Sequence, residues 1–268
     1  MSDLTRKRGD MNPIAPSTGL HRLKGDFQKT YLAEQCDALV SSLDEAIAAT
    51  IALAPVRTQG YFGQTRGTRA PQHPEARWEQ ATWEQWSTTT CAAVPGAWYR
   101  LAHYQLNLPH TREDEAWGEI DLVGISHQGL PVIVELKAPD ATDSPVAMLV
   151  QAAAYALAFR KAWHTILPEW TALVRRYGFD LTFTDKLHLC PLVCAAPTRY
   201  WNEWLGDSPR AQKVTAGTWP ALMRLVLALA ERGLPATFVR LDHAHEDDDG
   251  LPRLIRASVI DPFGAAPK

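Results

Sequence analysis

The chain has 268 residues, 46% of them hydrophobic, with 27 Lys and Arg against 30 Asp and Glu and a formal net charge of −3. Such a composition can fill a sizeable core and excludes global disorder, and the length suits one large domain with additions. The near-neutral balance excludes a generally basic nucleic-acid coat, so any nucleic-acid surface has to be a local patch.

Residues 1–10 are polar, without the apolar stretch of a secretory signal, and residues 1–25, with Pro13, Pro16 and Gly19, read as a flexible leader. From Phe27 to about Leu53, Tyr31, Leu32, Leu39, Leu43, Ala46 and Ile47 recur at helical spacing, and Pro55 ends the helix. The loop from Val56 to Pro74 holds Arg57, Arg66 and Arg69 and no acid, with Tyr61 and Phe62 among them and Arg77 just beyond. Positive charge interleaved with rings suits a phosphate backbone, and a plain solvated loop is the alternative.

Pro74 opens a second helix, to about Thr89, whose buried face is marked by Trp83 and Trp86. Glu75 and Glu79 fall on that face at four-residue steps, while Glu84 falls on the opposite, polar one. A carboxylate among tryptophans is costly unless paired or metal-bound, so Glu79, then Glu75, is the candidate additional acid. A strand is expected over Trp98–Leu108.

Residues Trp117 to Lys137 read as two strands joined by a tight turn. Glu119 and Asp121 share one face of the first, and Ile133, Glu135 and Lys137 share one face of the second. A three-residue loop, His127-Gln128-Gly129, with Gly129 in the left-handed conformation, pairs residues whose numbers sum to 256. Asp121 then faces Glu135, and Glu119 faces Lys137. Facing acids repel, so the cluster calls for a cation.

Ser144 as N-cap and Pro145 as first residue start a helix to about Trp163, on which Gln151 and Tyr155 stand one turn apart. Leu187–Ala196 reads as a buried strand that Pro191 demotes toward a sheet edge or bulge. Tyr200, Trp201 and Trp204 form an aromatic turn, and Trp219–Arg232 an amphipathic helix. Thr237–Leu241 and Leu254–Val259 form a hairpin around an acidic turn, His243–Gly250, which lacks calcium-loop spacing. Cys36, Cys91, Cys190 and Cys194 are scattered without a Cys-x-x-Cys pair and read as free thiols. The longest apolar runs, Leu149–Phe159 and Ala221–Ala230, are shorter than a membrane span. A soluble, cytoplasmic protein is expected.

The order helix, three strands, helix, strand, with an acid on the second strand and Glu-x-Lys on the third, resembles the core of the PD-(D/E)XK nuclease superfamily. Asp121 matches the first strand acid, and Glu135 and Lys137 match the (D/E)-x-K. Gly118-Glu119-Ile120-Asp121-Leu122 is similar to the Gly-Glu-Ile-Asp form of the resolvase-like and restriction-like branches. Gln151 followed by Tyr155 is similar to the Gln-x-x-x-Tyr motif of the exonuclease branch, and Glu79 would be the helix glutamate of many members. The resemblance covers Pro74 to Ala196. It departs from the pattern in lacking the Pro before the first acid and in a long stretch between Trp163 and Leu187.

The resemblance implies an α/β fold with a restriction-endonuclease-like core, αβββαβ, a mixed central sheet flanked by helices with N- and C-terminal additions. The expected divisions are the leader at 1–25, an N-terminal helix and basic loop at 26–73, the core at 74–196 and a helix–hairpin extension at 197–268 packed on it. Implied too is a Mg²⁺-dependent nuclease acting on DNA, with Mn²⁺ as substitute and RNA as second candidate. Asp121, Glu135 and the Leu136 carbonyl would hold the ion, with Glu79 acting on it through water. Lys137 would orient or help deprotonate a metal-bound water and offset transition-state charge, and Gln151 would position the nucleophile or a phosphate. Arg57, Arg66, Arg69, Arg77 and Tyr155 would bind nucleic acid. The alternative is a catalytically silent nuclease-fold protein that binds nucleic acid or a protein partner. Endo or exo mode and a homodimer are left open, and no membrane partner is expected.

Overall fold

A computed structural model describes residues 16–27, 33–57, 60–62, 73–88, 94–108, 117–179, 187–205, 208, 218–246 and 251–260. It is a mixed α/β protein. One six-stranded sheet runs in the order β1 (Arg100–Asn107), β2 (Glu119–Ile125), β3 (Pro131–Leu136), β4 (Leu192–Pro197), β5 (Ala236–Glu246), β6 (Pro252–Ile260). The pairs β1–β2, β2–β3 and β5–β6 are antiparallel, whereas β3–β4 and β4–β5 are parallel. Parallel neighbours need crossovers, and helices supply both. Between β3 and β4 run α5 (Pro145–Lys161) and α6 (Trp163–Arg175), and between β4 and β5 run α7 (Thr198–Leu205) and α8 (Thr218–Glu231).

The N-terminal half adds α1 (Leu20–Leu23), α2 (Ala33–Ser41), α3 (Leu43–Leu53) and α4 (Pro74–Trp86). Two apolar cores sandwich the sheet. Helices α5 and α8, with α1, α2 and α3, cover one face, where Ile133, Leu192, Cys194 and Phe238 point. Helix α4 lies over the other face, its Trp78, Ala81 and Trp86 packed with Leu122, Val134, Leu136, Val193 and Val239. The apolar repeat that makes α5 a helix is nearly continuous, because it is buried on all sides except its last turn.

The β2–β3 hairpin has the expected register. Leu122–Val134 through Ile125–Pro131 all sum to 256, Ser126 donates to the Leu130 carbonyl, and Gly129 closes the loop at φ 77°. The ladder ends at Leu122–Val134, short of a Glu119–Lys137 pair. Lys137 instead donates its backbone N–H to Ala195.

Four expectations need correction. The leader at 1–25 is not uniformly loose: Leu20, Leu23 and Phe27 form an apolar stripe at helical spacing, and all three are buried, while residues 1–15 lie outside the described residues. The helix expected from Phe27 to Leu53 is split between Ser41 and Leu43. Ser41 and Ser42 hydroxyls both donate to carbonyls four residues back, a competition that bends helices. Pro191 does not push its strand to the edge. It sits just before β4, where its missing N–H is not needed and its carbonyl accepts from Ile133, so β4 is central. The hairpin at the C-terminus does not pack on a finished core; β5 pairs with β4 and extends the same sheet.

The aromatic turn at Tyr200, Trp201 and Trp204 is a full helix, α7, with all three rings buried. Helix α6 fills the long stretch after Trp163 and buries Ile166, Trp170 and Val174. Cys36, Cys190 and Cys194 are free and buried; Cys91 lies outside the described residues. No helix among the described residues is long and apolar enough to cross a membrane.

Candidate active site

The site is built where the ends of β2 and β3 meet α4 and α5. Alternation places Glu135 on the side of Ile133 and Asp121 on the side of Val123, and both of those neighbours face the α5 layer. Glu135 is fully buried. Its Oε1 lies 2.7 Å from Lys137 Nζ, and its Oε2 has no hydrogen-bond partner. Asp121 Oδ2 accepts the Leu136 N–H at 2.6 Å, which ties the acid of β2 to the end of β3. Asp121 keeps a partly exposed edge although its carboxyl lies deep among protein atoms.

Lys137 is 4% exposed and bridges two elements, at 2.6 Å from Glu75 Oε1 on α4 and 2.7 Å from Glu135 on β3. Asp143 Oδ2 stands 4.0 Å away. An unpaired ammonium would not be stable there, so the acids are what allow Lys137 to be buried. Burial by itself lowers its pKa, but the charges of Glu135, Asp121 and Glu75 outweigh this and hold it well above the usual lysine range.

Helix α4 has the expected phase. Glu79 is 6% exposed on the inner face, and Glu84 is exposed and bonded to Gln80. Glu79 Oε2 accepts from Gln105 Nε2 at 2.9 Å. Burial, with the charges of Glu75 and Glu135, pushes its pKa up to about 7 against the pull of that hydrogen bond. Asp121 is driven well above the usual carboxylate range by burial and then by the charges of Glu135 and Glu79. Glu135 is raised by burial and restrained by Lys137. Crowded acids of this kind are characteristic of functional sites, though structural ion networks also perturb pKa values.

On α5, Gln151 Nε2 donates to the Tyr155 hydroxyl at 2.9 Å, and Gln151 Oε1 is buried without a partner. Tyr155 feels the charges of Glu135 and Asp121, and its hydroxyl lies 3.3 Å from where a Cβ on Gly118 would stand. Gly118, at φ 71°, therefore admits the phenol next to the start of β2. Tyr155, expected as a nucleic-acid contact, is 5% exposed and held by Gln151.

The basic loop is only partly described, since Arg66 and Arg69 lie outside the described residues. The Arg57 guanidinium donates to the Asn107 carbonyl and lies over the Tyr61 ring, with 5.5 Å to its centroid. Glu169 of α6 accepts from the Gly60 and Phe62 amides, so this end of the loop is fixed by an acid from elsewhere. Arg77 lines a cleft of about 310 Å³ with Trp78, Pro139, Asp140 and Arg199.

Two contributors escaped the sequence reading. Gln105 has φ 48°, the one positive φ outside glycine among the described residues, and the β1–β2 numbering sets it across from Asp121. A strained residue that holds a site acid marks the site, but alternation alone gives no hint of it. Lys24 lies near enough to lower the pKa of Glu135, and nothing in its local sequence distinguishes it from a surface lysine.

Among the described residues, no three His, Cys, Asp or Glu side chains already form a metal cage. The donor set is nonetheless suited to a hard cation, because Glu135 Oε2 is a buried acceptor without a partner and the charges of Glu135 and Glu79 both bear on Asp121. No protein-family profile matches the chain, and neither a curated protein nor a solved structure matches it.

Proposed function

We propose that the protein is a Mg²⁺-dependent nuclease of the PD-(D/E)XK type, with α4, β1, β2, β3, α5 and β4 as its restriction-endonuclease-like core and DNA as its substrate. The observation that carries this reading is the convergence of Asp121, Glu135 and Lys137 at the ends of two paired strands, with the Glu135 Oε2 acceptor unsatisfied. A purely structural ion pair gives no reason for crowding further acids, Glu79 and Asp121, around an already buried carboxylate.

In this reading Asp121 and Glu135, with the Leu136 carbonyl, hold Mg²⁺, and Mn²⁺ substitutes for it. The ion would supply Lewis-acid activation of a phosphodiester and of a water. Lys137 orients that water and offsets negative charge that develops on the phosphorus oxygens. Glu79 acts through water on the same centre, with Gln105 fixing its orientation. Gln151, whose amide nitrogen is held by Tyr155 and whose Oε1 is left without a partner, positions the nucleophile or a phosphate.

The test is a cleavage screen on single-stranded, duplex and branched DNA and on RNA, with Mg²⁺ or Mn²⁺, using Asp121→Asn and Lys137→Ala as inactive references. Metal-dependent cleavage lost in both variants supports the reading. A wild-type protein that cuts none of these and gains no thermal stability from either metal would instead favour a silent nucleic-acid- or protein-binding module.

A further inference from the structure

The candidate site carries five nearby acids, Glu75, Glu79, Asp121, Glu135 and Asp143, against the single ammonium of Lys137. Lys137 is already engaged by its own carboxylates. A polyanion approaching this cluster therefore meets repulsion unless another cation lies along its path.

The segment Leu20–Phe27 is held rigidly beside that path. At its start, the Leu20 N–H donates to Thr50 Oγ1 at 2.8 Å, and the His21 ring stacks on Trp117, 4.1 Å between centroids and 13° between planes. Trp117 immediately precedes Gly118 at the entrance to β2. At its end, the buried Phe27 carbonyl accepts from Ser144 Oγ, the N-cap of the helix that carries Gln151 and Tyr155. Between these anchors Leu23 is buried and Lys24 half-buried. The segment thus spans from the start of β2 to the start of α5, the two elements that frame the cluster. Lys24 makes no ion pair among the described residues, although its charge is felt at Glu135. His21 adds no charge at neutral pH, since burial and then the nearby Arg22 charge push its pKa down to about 4.

A half-buried lysine on an anchored segment, without an ion pair among the described residues and beside an acid-rich cluster, is placed to receive an anion. We propose that Lys24 binds a backbone phosphate of the substrate next to the scissile one, so that residues 20–27 form one wall of the nucleic-acid channel. This rests on the nuclease reading. It adds to it a positioning cation supplied from outside the core motifs, one that acts on substrate binding and not on the chemical step.

The experiment is steady-state cleavage of the best DNA substrate in Mg²⁺ across a salt series, with Lys24→Ala, Lys24→Gln, Lys24→Arg and Lys24→Glu. Thermal melts confirm folding, and Lys24→Gln, the closest neutral replacement, stands in should the Ala variant not fold. Lys24→Ala and Lys24→Gln should raise KM about 3- to 10-fold and flatten the salt slope by about one charge, with kcat within about 2-fold. Lys24→Arg should recover most of the KM, and Lys24→Glu should be worse than Ala. Cleavage with unchanged KM and salt slope in the Ala and Gln variants overturns the role of Lys24 and leaves the nuclease reading standing. A wild-type protein that cuts nothing with either metal overturns both.

Discussion

Replacing Lys137 by Met tests whether the buried cluster is held together by charge. Lys137 is 4% exposed and Glu135 fully buried, and among the described residues their 2.7 Å contact is the only one that satisfies the Glu135 carboxylate. Breaking a buried pair from one side typically costs about 3–5 kcal/mol, because the remaining charge is stranded. Here the loss has a ceiling set by pH, since Glu135 can take a proton instead. Its ordinary value is 4.5, and protonation costs about 1.36 kcal/mol for each pH unit above that. The ceiling is therefore about 3.4 kcal/mol at pH 7 and about 0.7 kcal/mol at pH 5. Denaturant melts of the metal-free protein at both pH values measure it. Lys137→Met should lose about 2–3 kcal/mol at pH 7 and under about 0.7 kcal/mol at pH 5. Adding Glu135→Gln should remove the part of the pH dependence that comes from the stranded Glu135, leaving only what the more exposed Glu75 contributes. A loss of the same size at both pH values would refute the charge argument and make Lys137 a packing residue.

Asp121→Asn should stabilise the metal-free protein at pH 8 by about 1 kcal/mol or more, since it removes repulsion with Glu135 and keeps an acceptor for the Leu136 N–H. Asp121→Ala should gain less because that N–H loses its partner, and both should abolish any stabilisation by Mg²⁺ in thermal melts. Glu79 has a folded-state value of about 7 against an ordinary 4.5, so the folded protein holds its proton longer than the unfolded chain. The cost is absent below pH 4.5, grows between 4.5 and about 7 and is constant above, so metal-free stability should fall with rising pH across that window, by up to about 3 kcal/mol, and Glu79→Gln should flatten the fall. Lys137→Ala should abolish cleavage while leaving DNA affinity within about 3-fold in a Ca²⁺ gel shift, because a lysine buried among its own acids contributes little to phosphate attraction. Arg77→Ala should flatten the salt dependence of DNA binding by about one charge, whereas Arg57→Ala should cost about 1 kcal/mol of stability through the lost Asn107 contact.

The elements that were legible in the sequence are those whose signal is local. The hairpin register follows from the loop length, because Gly129 fixes the turn and the turn fixes every pair after it. The phase of α4 follows from the tryptophans, and it set Glu79 inward and Glu84 outward without any knowledge of the sheet. The misreadings come from competition that a window of sequence does not show. Pro191 looked like an edge residue because a strand was assumed to contain it, whereas it precedes the strand. Ser41 and Ser42 looked neutral within a helix, yet both hydroxyls turned back onto the chain. The hairpin at the C-terminus looked like an addition because its partner strand, β4, lies 40 residues earlier, and parallel pairing leaves no local mark.

The same distinction runs through the site. Asp121, Glu135 and Lys137 lie within 17 residues of one another, and strand alternation was enough to bring them together. Lys137, however, is buried because Glu75, 62 residues earlier, reaches it from α4. That one long-range contact changes what Lys137 can do: it is pre-positioned beside the acids and unavailable as a general phosphate anchor. On the nuclease reading proposed above, a polyanion would be met by cations outside the acid motif, Arg77 on α4 and Lys24 on a segment whose only sequence signal was a few turn formers. Glu79 makes the complementary point. Its helical phase was readable, but the residue that fixes its carboxylate, Gln105, is held in a conformation that no periodicity encodes. The acids of the candidate site can be read from the order of elements, while the groups that orient them depend on which distant segments the fold brings alongside.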